Sequence, residues 1–473
     1  MGQGSRGSIG ADTDACPIPP LPSRRDRYPW SLRTVTMSVG FSVVILSNLF
    51  LITVPPLIIP LALPIPHAPP GTNLFLAKTD TIGNLEWSHS FGGFDRDLGH
   101  TVIECYEGGF AVAGSTHSYG EGSSDLWLLR TNGTGNPIWN QSYGGPGWDE
   151  CFDLVECHDG GFAITGETLS FGNGGTEVIL VKTDILGNEM WMSAFGGPED
   201  DRGSSIVRCG DGGYAIGATT HSFGVGSSDM WLIRTDRYGQ IIWNKTFGGQ
   251  YEDVANSVVL CRDKGYLLVG KTQMTEYDPG TLLLVRLDLN GNQVWNKTYR
   301  TIESYYGEGW SAVECTDGGF GVVGRMHSSL ESDLDDIWFV RLDSNGQVQW
   351  SRKHGGTGLS ISLGGYSVRE CDDMGFVIAG KFGYQSNPNE IWLCRTDSAG
   401  DVLWSSNYQG IHSGSGFLLG DCNDGGFVIT GAVETPAESV VLELAVHNEF
   451  MEGVIPAPCK QTSPKIATWE CDA

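Results

Sequence analysis

The chain has 473 residues, a net charge of −27 and 67 glycines, and Trp, Tyr and Phe together make up 10% of it. The excess of acidic residues argues against a nucleic-acid-binding protein, because nucleic-acid-binding surfaces concentrate Lys and Arg. Abundant glycine combined with aromatic residues is typical of short β-strands joined by turns and untypical of helical proteins. The acidic composition also suits the solubility of a protein outside the cell.

The first 71 residues predict a membrane anchor. Residues 35–54 contain no charge and are about long enough for one membrane-spanning helix. Four arginines lie between positions 24 and 33, and no Lys or Arg follows until Lys78. The positive-inside rule therefore predicts a cytoplasmic, disordered segment 1–34 and places the rest of the chain outside the membrane. The alternative is a cleaved signal peptide and secretion, although no A-x-A-like cleavage site follows. Residues 55–71 contain seven prolines, which predicts a stiff linker.

One motif recurs seven times along the rest of the chain: an acid or amide, Gly three residues later, and Trp four residues after that. The seven tryptophans stand at steps of 52, 52, 52, 52, 55 and 54 residues: Trp87, Trp139, Trp191, Trp243, Trp295, Trp350 and Trp404. Each unit contains four short apolar runs separated by turn signals, here called strands A to D. This period is typical of a β-propeller, since the repeats of a linear β-solenoid are usually shorter.

The pattern predicts an all-β fold, a seven-bladed β-propeller of four-stranded antiparallel blades, over residues 72–446. Residues 447–473 are predicted to form a C-terminal tail. The first piece, residues 74–91, supplies strands C and D only, and the last unit has no strand D. An N-terminal strand D is therefore expected to complete the last blade. One strand C is then surplus, either residues 73–80 or residues 440–446, and the sequence leaves open which of them pairs.

The segment 72–446 resembles the Gly-rich propeller repeats common in exported proteins of archaea and some bacteria. Its D-x-x-G-x-x-x-W signature is also similar to the tryptophan-docking motif of quinoprotein-like propellers, with a turn one residue shorter. In that family the Trp ring packs against the neighbouring blade, so the resemblance implies an interblade structural role for the seven repeat tryptophans. A large amphipathic ring suits such a junction. Nothing in the sequence supports carrying over the quinone cofactor.

The loops predict which face of the propeller binds. The A–B and C–D turns are short and nearly identical between units, whereas the B–C and D–A loops are longer and vary. Variable loops on a rigid scaffold favour binding, so the face formed by the B–C and D–A loops is the predicted working surface. The segment YRTIESYYGEGW replaces the usual F-G-G loop there. Its aromatic and acidic residues suit the stacking and binding of a sugar. The alternative interpretation is that these side chains pack over the edge of a blade. The predicted ligand-binding residues are Glu303, Tyr305, Tyr306, Glu308 and Trp310.

Acidic residues in the D–A loops give weak Ca²⁺ candidates, because Ca²⁺ takes clustered carboxylate oxygens. These candidates are Asp200, Asp201 and Asp253. No EF-hand ladder is present, and solvated acidic loops that cap strand A are the alternative. No other metal site is predicted.

The cysteines and the N-x-[ST] sequons give candidates for packing, for a disulfide and for glycosylation. Seven cysteines recur at the end of strand A and are interpreted as small buried apolar residues: Cys105, Cys157, Cys209, Cys261, Cys315, Cys371 and Cys422. Outside the repeat, Cys459 and Cys471 are the candidates for a disulfide in an extracellular protein. Four N-x-[ST] sequons give Asn132, Asn140, Asn244 and Asn296 as glycosylation candidates.

No catalytic motif stands out: the sequence has no G-x-S-x-G, no H-E-x-x-H and no zinc-type C-x-x-C. The favoured hypothesis is therefore a monomeric, membrane-anchored extracellular propeller that binds a surface glycan or a partner protein, with no cofactor unless Ca²⁺ is bound. The alternatives are a glycan hydrolase or lyase that uses acidic loop residues, and a structural scaffold of an envelope complex.

Overall fold

Seven antiparallel sheets build the molecule, one for each sequence repeat. The structure is a computed structural model that describes residues 71–301, 306–327, 335–354, 364–384, 387–408, 419–435 and 466–469. Each sheet contains four strands in the order A-B-C-D, and one sheet carries a fifth strand. The seven-bladed propeller of four-stranded antiparallel blades is therefore confirmed.

The strands are numbered in chain order. The first fourteen are β1 Gly71–Thr79, β2 Leu85–Phe91, β3 Asp97–Glu104, β4 Phe110–Thr116, β5 Asp125–Thr131, β6 Pro137–Tyr143, β7 Asp149–Glu156, β8 Phe162–Thr168, β9 Glu177–Thr183, β10 Glu189–Phe195, β11 Asp201–Arg208, β12 Tyr214–Thr220, β13 Asp229–Thr235 and β14 Ile241–Phe247. The others are β15 Asp253–Leu260, β16 Tyr266–Thr272, β17 Thr281–Leu287, β18 Gln293–Thr301, β19 Tyr306–Glu314, β20 Phe320–His327, β21 Asp335–Leu342, β22 Val348–His354, β23 Gly364–Glu370, β24 Phe376–Tyr384, β25 Asn387–Thr396, β26 Val402–Tyr408, β27 Leu419–Asp421, β28 Phe427–Thr435 and β29 Ile466–Trp469. Blades 1 to 6 begin at β3, β7, β11, β15, β19 and β23.

The two ends of the repeat region meet in blade 7. Its sheet has the order β2-β1-β28-β27, so strands C and D both come from the N-terminal side. β1 pairs with β28 along its whole length, from Gly71 opposite Thr435 to Thr79 opposite Phe427. The question of the surplus strand C is thereby answered in favour of residues 73–80. Residues 440–446 lie outside the described residues.

Burial follows the position of a strand within its blade. Each strand A contacts strand A of the next blade, and β27 contacts β3, so the seven A strands form a closed inner ring. Strands B and C are buried almost throughout, for example Val178–Val181 of β9, because they are covered by a blade on each side. Strand D is the outer edge and is mostly exposed or half-buried, as in β14. The apolar cores therefore lie between neighbouring blades.

Strand A carries a β-bulge in blades 1 to 6. The pairing of strands A and B shifts by one residue there, which lets the bulged side chain leave the regular alternation of the strand. The bulged residues are His100, Phe152, Ser204, Asn256, Trp310 and Tyr366. Three of these bulged residues, Ser204, Asn256 and Trp310, line a cavity between the A strands.

Two features lie outside the regular blades. β29 pairs antiparallel with the end of β18 and adds a fifth strand to blade 4. No helix in the described part of the chain is long and apolar enough to cross a membrane. The predicted anchor at residues 35–54 falls outside that part.

Candidate functional site

The repeat tryptophans lie at the junctions between blades. The turn between strands C and D ends in a glycine with positive φ, such as Gly239 at 76°. A Cβ atom at Gly239 would lie 2.5 Å from Cζ3 of Trp191, a residue of the preceding blade. The same ring faces Tyr214 of strand B, with 6.3 Å between the ring centroids. The contact recurs at all seven junctions: Trp87 with Gly135, Trp139 with Gly187, Trp191 with Gly239, Trp243 with Gly291, Trp295 with Gly346, Trp350 with Gly400, and Trp404 with Gly83.

A second repeated contact holds six of the seven blades together on the side of the short turns, called here the turn face. Nη2 of Arg286 in strand C lies 2.6 Å from Oδ2 of Asp263 in the A–B turn, and Nη1 donates to the carbonyl of Tyr266. Burial alone would raise the pKa of Asp263, but hydrogen bonds from Arg286 and from the Gly265 amide hold that pKa below its usual value. Six blades have this ion pair: Lys78–Asp424, Lys182–Asp159, Arg234–Asp211, Arg286–Asp263, Arg341–Asp317 and Arg395–Asp373.

These basic residues were missed at the sequence level although the signal is present. A Lys or Arg stands two residues before the acid or amide of every repeat motif, for example Arg234 before Asp236. The pair is structural, because its carboxylate lies in a turn and its cation is bound to backbone carbonyls. The turn face is therefore similar in every blade.

Six of the seven repeat cysteines are buried beside the same turns, and Cys371 is half-buried. The Sγ atom of Cys157 lies 3.2 Å from the Tyr214 hydroxyl of the next blade. Burial raises the pKa of Cys105 and of Cys261 to about 12. Such thiols are protonated at neutral pH and unreactive, which suits a packing role. Cys459 and Cys471 lie outside the described residues.

The opposite face, formed by the B–C and D–A loops, is called here the loop face, and its first four blades share an anchoring aspartate. Asp149 is fully buried at the start of strand A and accepts hydrogen bonds from Gly145 N at 2.8 Å and Ser170 Oγ at 2.6 Å. The carboxylate thereby ties the D–A loop to the B–C loop. The equivalent residues are Asp97, Asp201 and Asp253, and each accepts from a glycine amide in the same way.

The three Ca²⁺ candidates do not come together. Asp201 and Asp253 are buried anchors in adjacent blades, and Asp200 is exposed and accepts a hydrogen bond from Thr176 N at 2.9 Å. Within the described ranges, no three His, Cys, Asp or Glu side chains are close enough to hold a metal ion.

The predicted ligand-binding segment contributes three described residues, and two of them belong to an internal ion-pair cluster. Glu308 is only 4% exposed and accepts from Nε and Nη2 of Arg325, at 3.1 and 3.0 Å. The Tyr306 hydroxyl bonds to both side chains, and its pKa is raised by burial and by the Glu308 charge. Asn256 donates to the other carboxylate oxygen at 3.0 Å. Glu303 and Tyr305 lie outside the described residues.

Trp310 lies next to this cluster and at the central channel. Its ring meets Tyr366 edge-on, with 5.1 Å between centroids, and Arg325 lies 5.7 Å from its ring centroid. The indole Nε1 is buried and has no hydrogen-bond partner. The arrangement is an aromatic wall with an unused donor, and it differs from the open stacking platform that the sequence predicted.

Large apolar side chains are exposed on the loop face of blades 1 to 4. Phe94 and Val225 are each 82% exposed, Tyr277 is 85% exposed and Leu169 is 54% exposed. They lie in four different loops, at successive positions around the ring. The aromatic Phe223 beside them is instead packed over Gly197 of the preceding D–A loop. The four exposed residues were not singled out from the sequence.

The four sequons occupy two kinds of position. Asn132 is exposed in a C–D turn, where its Oδ1 accepts from the amides of Thr134 and Asn136. The other three follow the repeat tryptophan in strand D: Asn140, Asn244 and Asn296. Oδ1 of Asn140 and Oδ1 of Asn244 each accept a hydrogen bond from a strand C indole, at 3.2 and 3.1 Å. These asparagines therefore have structural partners whether or not they carry glycans.

Comparisons with known proteins give neither a family nor an activity for this chain. No family model matches the chain, and no curated protein matches it. Among solved structures, Sqt1 from Chaetomium thermophilum is 12% identical, with a TM-score of 0.39 over 71% of this chain and 96% of that one. The Neurospora crassa Pan2 WD40 domain is 10% identical, with a TM-score of 0.38 over 70% and 88%.

A third similar structure is PorZ, a bacterial surface component of the type-IX secretion system of Porphyromonas gingivalis. It is 11% identical, with a TM-score of 0.40 over 75% of this chain and 49% of PorZ. These proteins are distant neighbours of this chain. At such identities and TM-scores they carry no information about what it binds.

Proposed function

We propose that the protein is a binding module that docks a partner protein on the loop face of blades 1 to 4. The observation that carries this proposal is the exposure of four large apolar side chains on that face: Phe94, Leu169, Val225 and Tyr277. Because these loops follow one another around a rigid ring, one partner that spans them could cover all four side chains and remove them from water. Aromatic side chains such as Tyr277 are also those that dominate binding energy at protein interfaces.

The arrangement supports a protein partner better than a glycan. Sugar stacking needs an open aromatic face, whereas Tyr306 is bonded to Glu308 and Arg325, and Trp310 packs against Tyr366. The four exposed apolar residues belong to separate loops, which suits a partner that spans several blades. A surface glycan stays the second candidate ligand, because the segment that precedes Tyr306 adds Glu303 and Tyr305 to the sequence signal for sugar stacking.

A glycan hydrolase or lyase is the less favoured alternative. Such an enzyme needs one carboxylic acid that donates a proton and one carboxylate that acts as base or nucleophile. Glu308 is buried and paired with Arg325, and the anchoring aspartate Asp149 accepts hydrogen bonds from a loop amide and a hydroxyl. Glu308 and Asp149 therefore have structural partners.

Site-specific photocrosslinking in the source cells tests the proposal with the full chain. Replacing Tyr277 with photoreactive p-benzoyl-phenylalanine should give a discrete crosslinked protein adduct. The matched control is the same replacement at Tyr238, which is 64% exposed on the turn face and should give none. The double substitution Phe94→Ser and Val225→Ser should abolish the Tyr277 adduct without lowering the thermal midpoint.

Two results would overturn this assignment. One is an equal adduct yield from the loop and turn faces. The other is an adduct at position 277 that survives the double substitution unchanged. A glycan ligand would be indicated instead by polysaccharide binding that Trp310→Ala removes while the adduct pattern stays the same.

We also propose that the module acts outside the cell, held at the membrane by residues 35–54. The support is the uncharged 20-residue segment preceded by arginines, together with the N-x-[ST] sequons. Labelling of intact cells with a membrane-impermeant amine reagent should modify Lys245, a propeller lysine. Absence of labelling in intact cells, with labelling after lysis, would contradict this location.

A further inference from the structure

A cavity of about 400 Å³ lies on the axis of the propeller. It is lined by strand A of blades 1 to 6, and Trp310 forms part of its wall. This volume falls in the range of about 300–1,000 Å³ that is usual for small-molecule sites. Because seven similar strands build the ring, each lining position can be compared between blades, and departures from the common residue identify positions that the fold does not require.

At two positions of strand A that line the cavity, one blade has a charged residue where the other blades have neutral ones. The position two residues before the repeat cysteine is aliphatic in blades 1 to 5 and is Arg369 in blade 6: Ile103, Val155, Val207, Val259, Val313 and Arg369. The position four residues before it is a hydroxyl residue in five of the first six blades and Asp153 in blade 2: Thr101, Asp153, Ser205, Ser257, Ser311 and Ser367. One positive and one negative group therefore face an otherwise neutral cavity.

The Asp153 carboxylate is fully used by the protein. One oxygen accepts from Leu154 N at 2.9 Å and Thr101 Oγ1 at 3.3 Å, and the other from Ile206 N at 2.9 Å and Ser205 Oγ at 3.0 Å. Burial raises the pKa of Asp153, which these hydrogen bonds and the charge of Arg369 oppose. Asp153 thus ties blades 1, 2 and 3 together and leaves no lone pair for a ligand.

Arg369 is the opposite case. Its guanidinium has five N–H donors, and its one hydrogen bond to a described residue runs from Nη1 to the carbonyl of Val368 at 3.0 Å. Within the described residues no carboxylate lies within 4 Å of it. Trp310, in the adjacent blade, also lines the cavity, and its Nε1 is a buried donor without a partner among the described residues. Of these three side chains, two have unsatisfied donors and none has an unsatisfied acceptor, which predicts a ligand that supplies acceptor oxygens.

We propose that the axial cavity is a binding site for a small monocarboxylate, whose carboxylate pairs with Arg369 and faces Trp310 Nε1. A planar carboxylate matches the guanidinium fork, and the aliphatic side chains around it suit an apolar remainder of the ligand. The carboxylate of Asp153 disfavours a dianion such as hydrogen phosphate, because it repels the second negative charge more than the single charge of a monocarboxylate.

Calorimetry on the full chain with butyrate as probe tests this site, and butyramide is the uncharged control of nearly the same shape. Butyrate should bind, and butyramide and inorganic phosphate should bind about tenfold more weakly or worse. Arg369→Gln should weaken butyrate binding by a similar factor. Arg369→Lys should restore part of the loss, since it returns the charge without the fork.

Controls separate binding from folding. Arg237→Gln, on an exposed turn, should leave butyrate affinity unchanged, and Trp310→Phe, which keeps an aromatic ring but removes the indole donor, should weaken it. Two outcomes would overturn the site. One is butyrate affinity within about twofold of wild type in both Arg369→Gln and Trp310→Phe, and the other is no butyrate binding by the wild-type chain at about 10 mM.

Discussion

At the scale of single residues, the glycine of each repeat motif contacts the tryptophan of the motif in the preceding blade. The glycine has positive φ to close its own C–D turn, and it lacks a Cβ so that the preceding blade's tryptophan can lie on it. One residue thus meets a conformational and a packing requirement at once. This explains why the motif keeps its internal spacing even where the repeat lengthens to 55 residues.

The two requirements can be separated in blade 3 by Gly239→Ala and Gly212→Ala. Both glycines have positive φ, but an added Cβ at Gly212 would meet nothing closer than 3.8 Å, whereas at Gly239 it would lie 2.5 Å from Trp191. Gly212→Ala should therefore lower the free energy of unfolding by about 1 kcal/mol, from backbone strain. Gly239→Ala should lower it by about 3 kcal/mol, from strain plus overpacking. Urea denaturation of the two variants measures the difference.

The matched control is the same pair of substitutions in a Trp191→Ala background. Removing the ring removes the clash, so the difference between the two glycine variants should fall below about 1 kcal/mol. An unchanged difference would mean that the tryptophan does not set the cost at Gly239.

At the scale of elements, ring closure depends on β1. This strand lies between β28 and β2. Its residues Leu74, Leu76 and Ala77 are fully buried against neighbouring blades. Closure by a strand from the other end of the chain joins two distant segments with nine paired residues. Without β1, the edge of β28 would be open and the cores on both sides of blade 7 would be solvated.

Two truncations test this closure. A chain that starts at Gly71 retains β1 and β2 and should melt as cooperatively as the full chain. A chain that starts at Phe94 lacks both strands and should be aggregated or melt at a much lower temperature. Circular dichroism and size-exclusion chromatography of the two proteins are sufficient. Equal melting of both truncations would show that blade 7 is dispensable.

The blades were predictable because repetition amplifies a weak local signal. One D-G-G turn or one alternating run predicts little, but seven copies in register predict four strands and a ring, which the structure confirms. The pairing of β1 could not be predicted, since residues 73–80 and 440–446 are both plausible third strands. It depends on long-range packing that no local pattern records.

The site was harder to predict because side-chain pairing is not visible in a sequence. Glu308 and Tyr306 stand in an unusual segment, and only the fold brings Arg325 from the neighbouring strand to neutralise them. Arg369 was overlooked because it sits inside a regular strand. Its signal was available as a departure from five aliphatic residues at the equivalent position, which becomes informative only once that position is known to line a cavity.

At the scale of the whole molecule, the carboxylates fall into two sets with opposite effects on stability. In the first set the pKa is raised by burial and by a neighbouring carboxylate, as for Glu177 beside Asp201 and Asp253 beside Asp229. In the second set the pKa is lowered by partners that outweigh burial, as for Asp211 and Asp263, which are paired with arginines of strand C. The sign of each shift determines where on the pH scale its effect appears.

These two sets predict a stability maximum in mild acid, at about pH 4.5. As the pH falls from neutrality, groups with a raised pKa bind protons in the folded state first, so the free energy of unfolding rises. Below about pH 4 the unfolded chain binds protons more readily than the turn-face aspartates with lowered pKa, so that free energy falls again. Protonation also weakens the repulsion between acidic residues in a chain of net charge −27. Like the first set of carboxylates, this raises the free energy of unfolding as the pH falls.

Calorimetric melting from pH 8 to pH 3 at constant ionic strength measures this maximum. Glu177→Gln should raise the melting temperature at pH 7.5 and flatten its rise towards pH 5, because it removes the repulsion from Asp201 while its amide oxygen can still accept from Asn173 N. Glu189→Gln changes an exposed charge on strand D and is the control for net charge alone. If both variants shift the melting curve equally, the maximum reflects total charge, and the buried loop-face pairs contribute nothing specific to it.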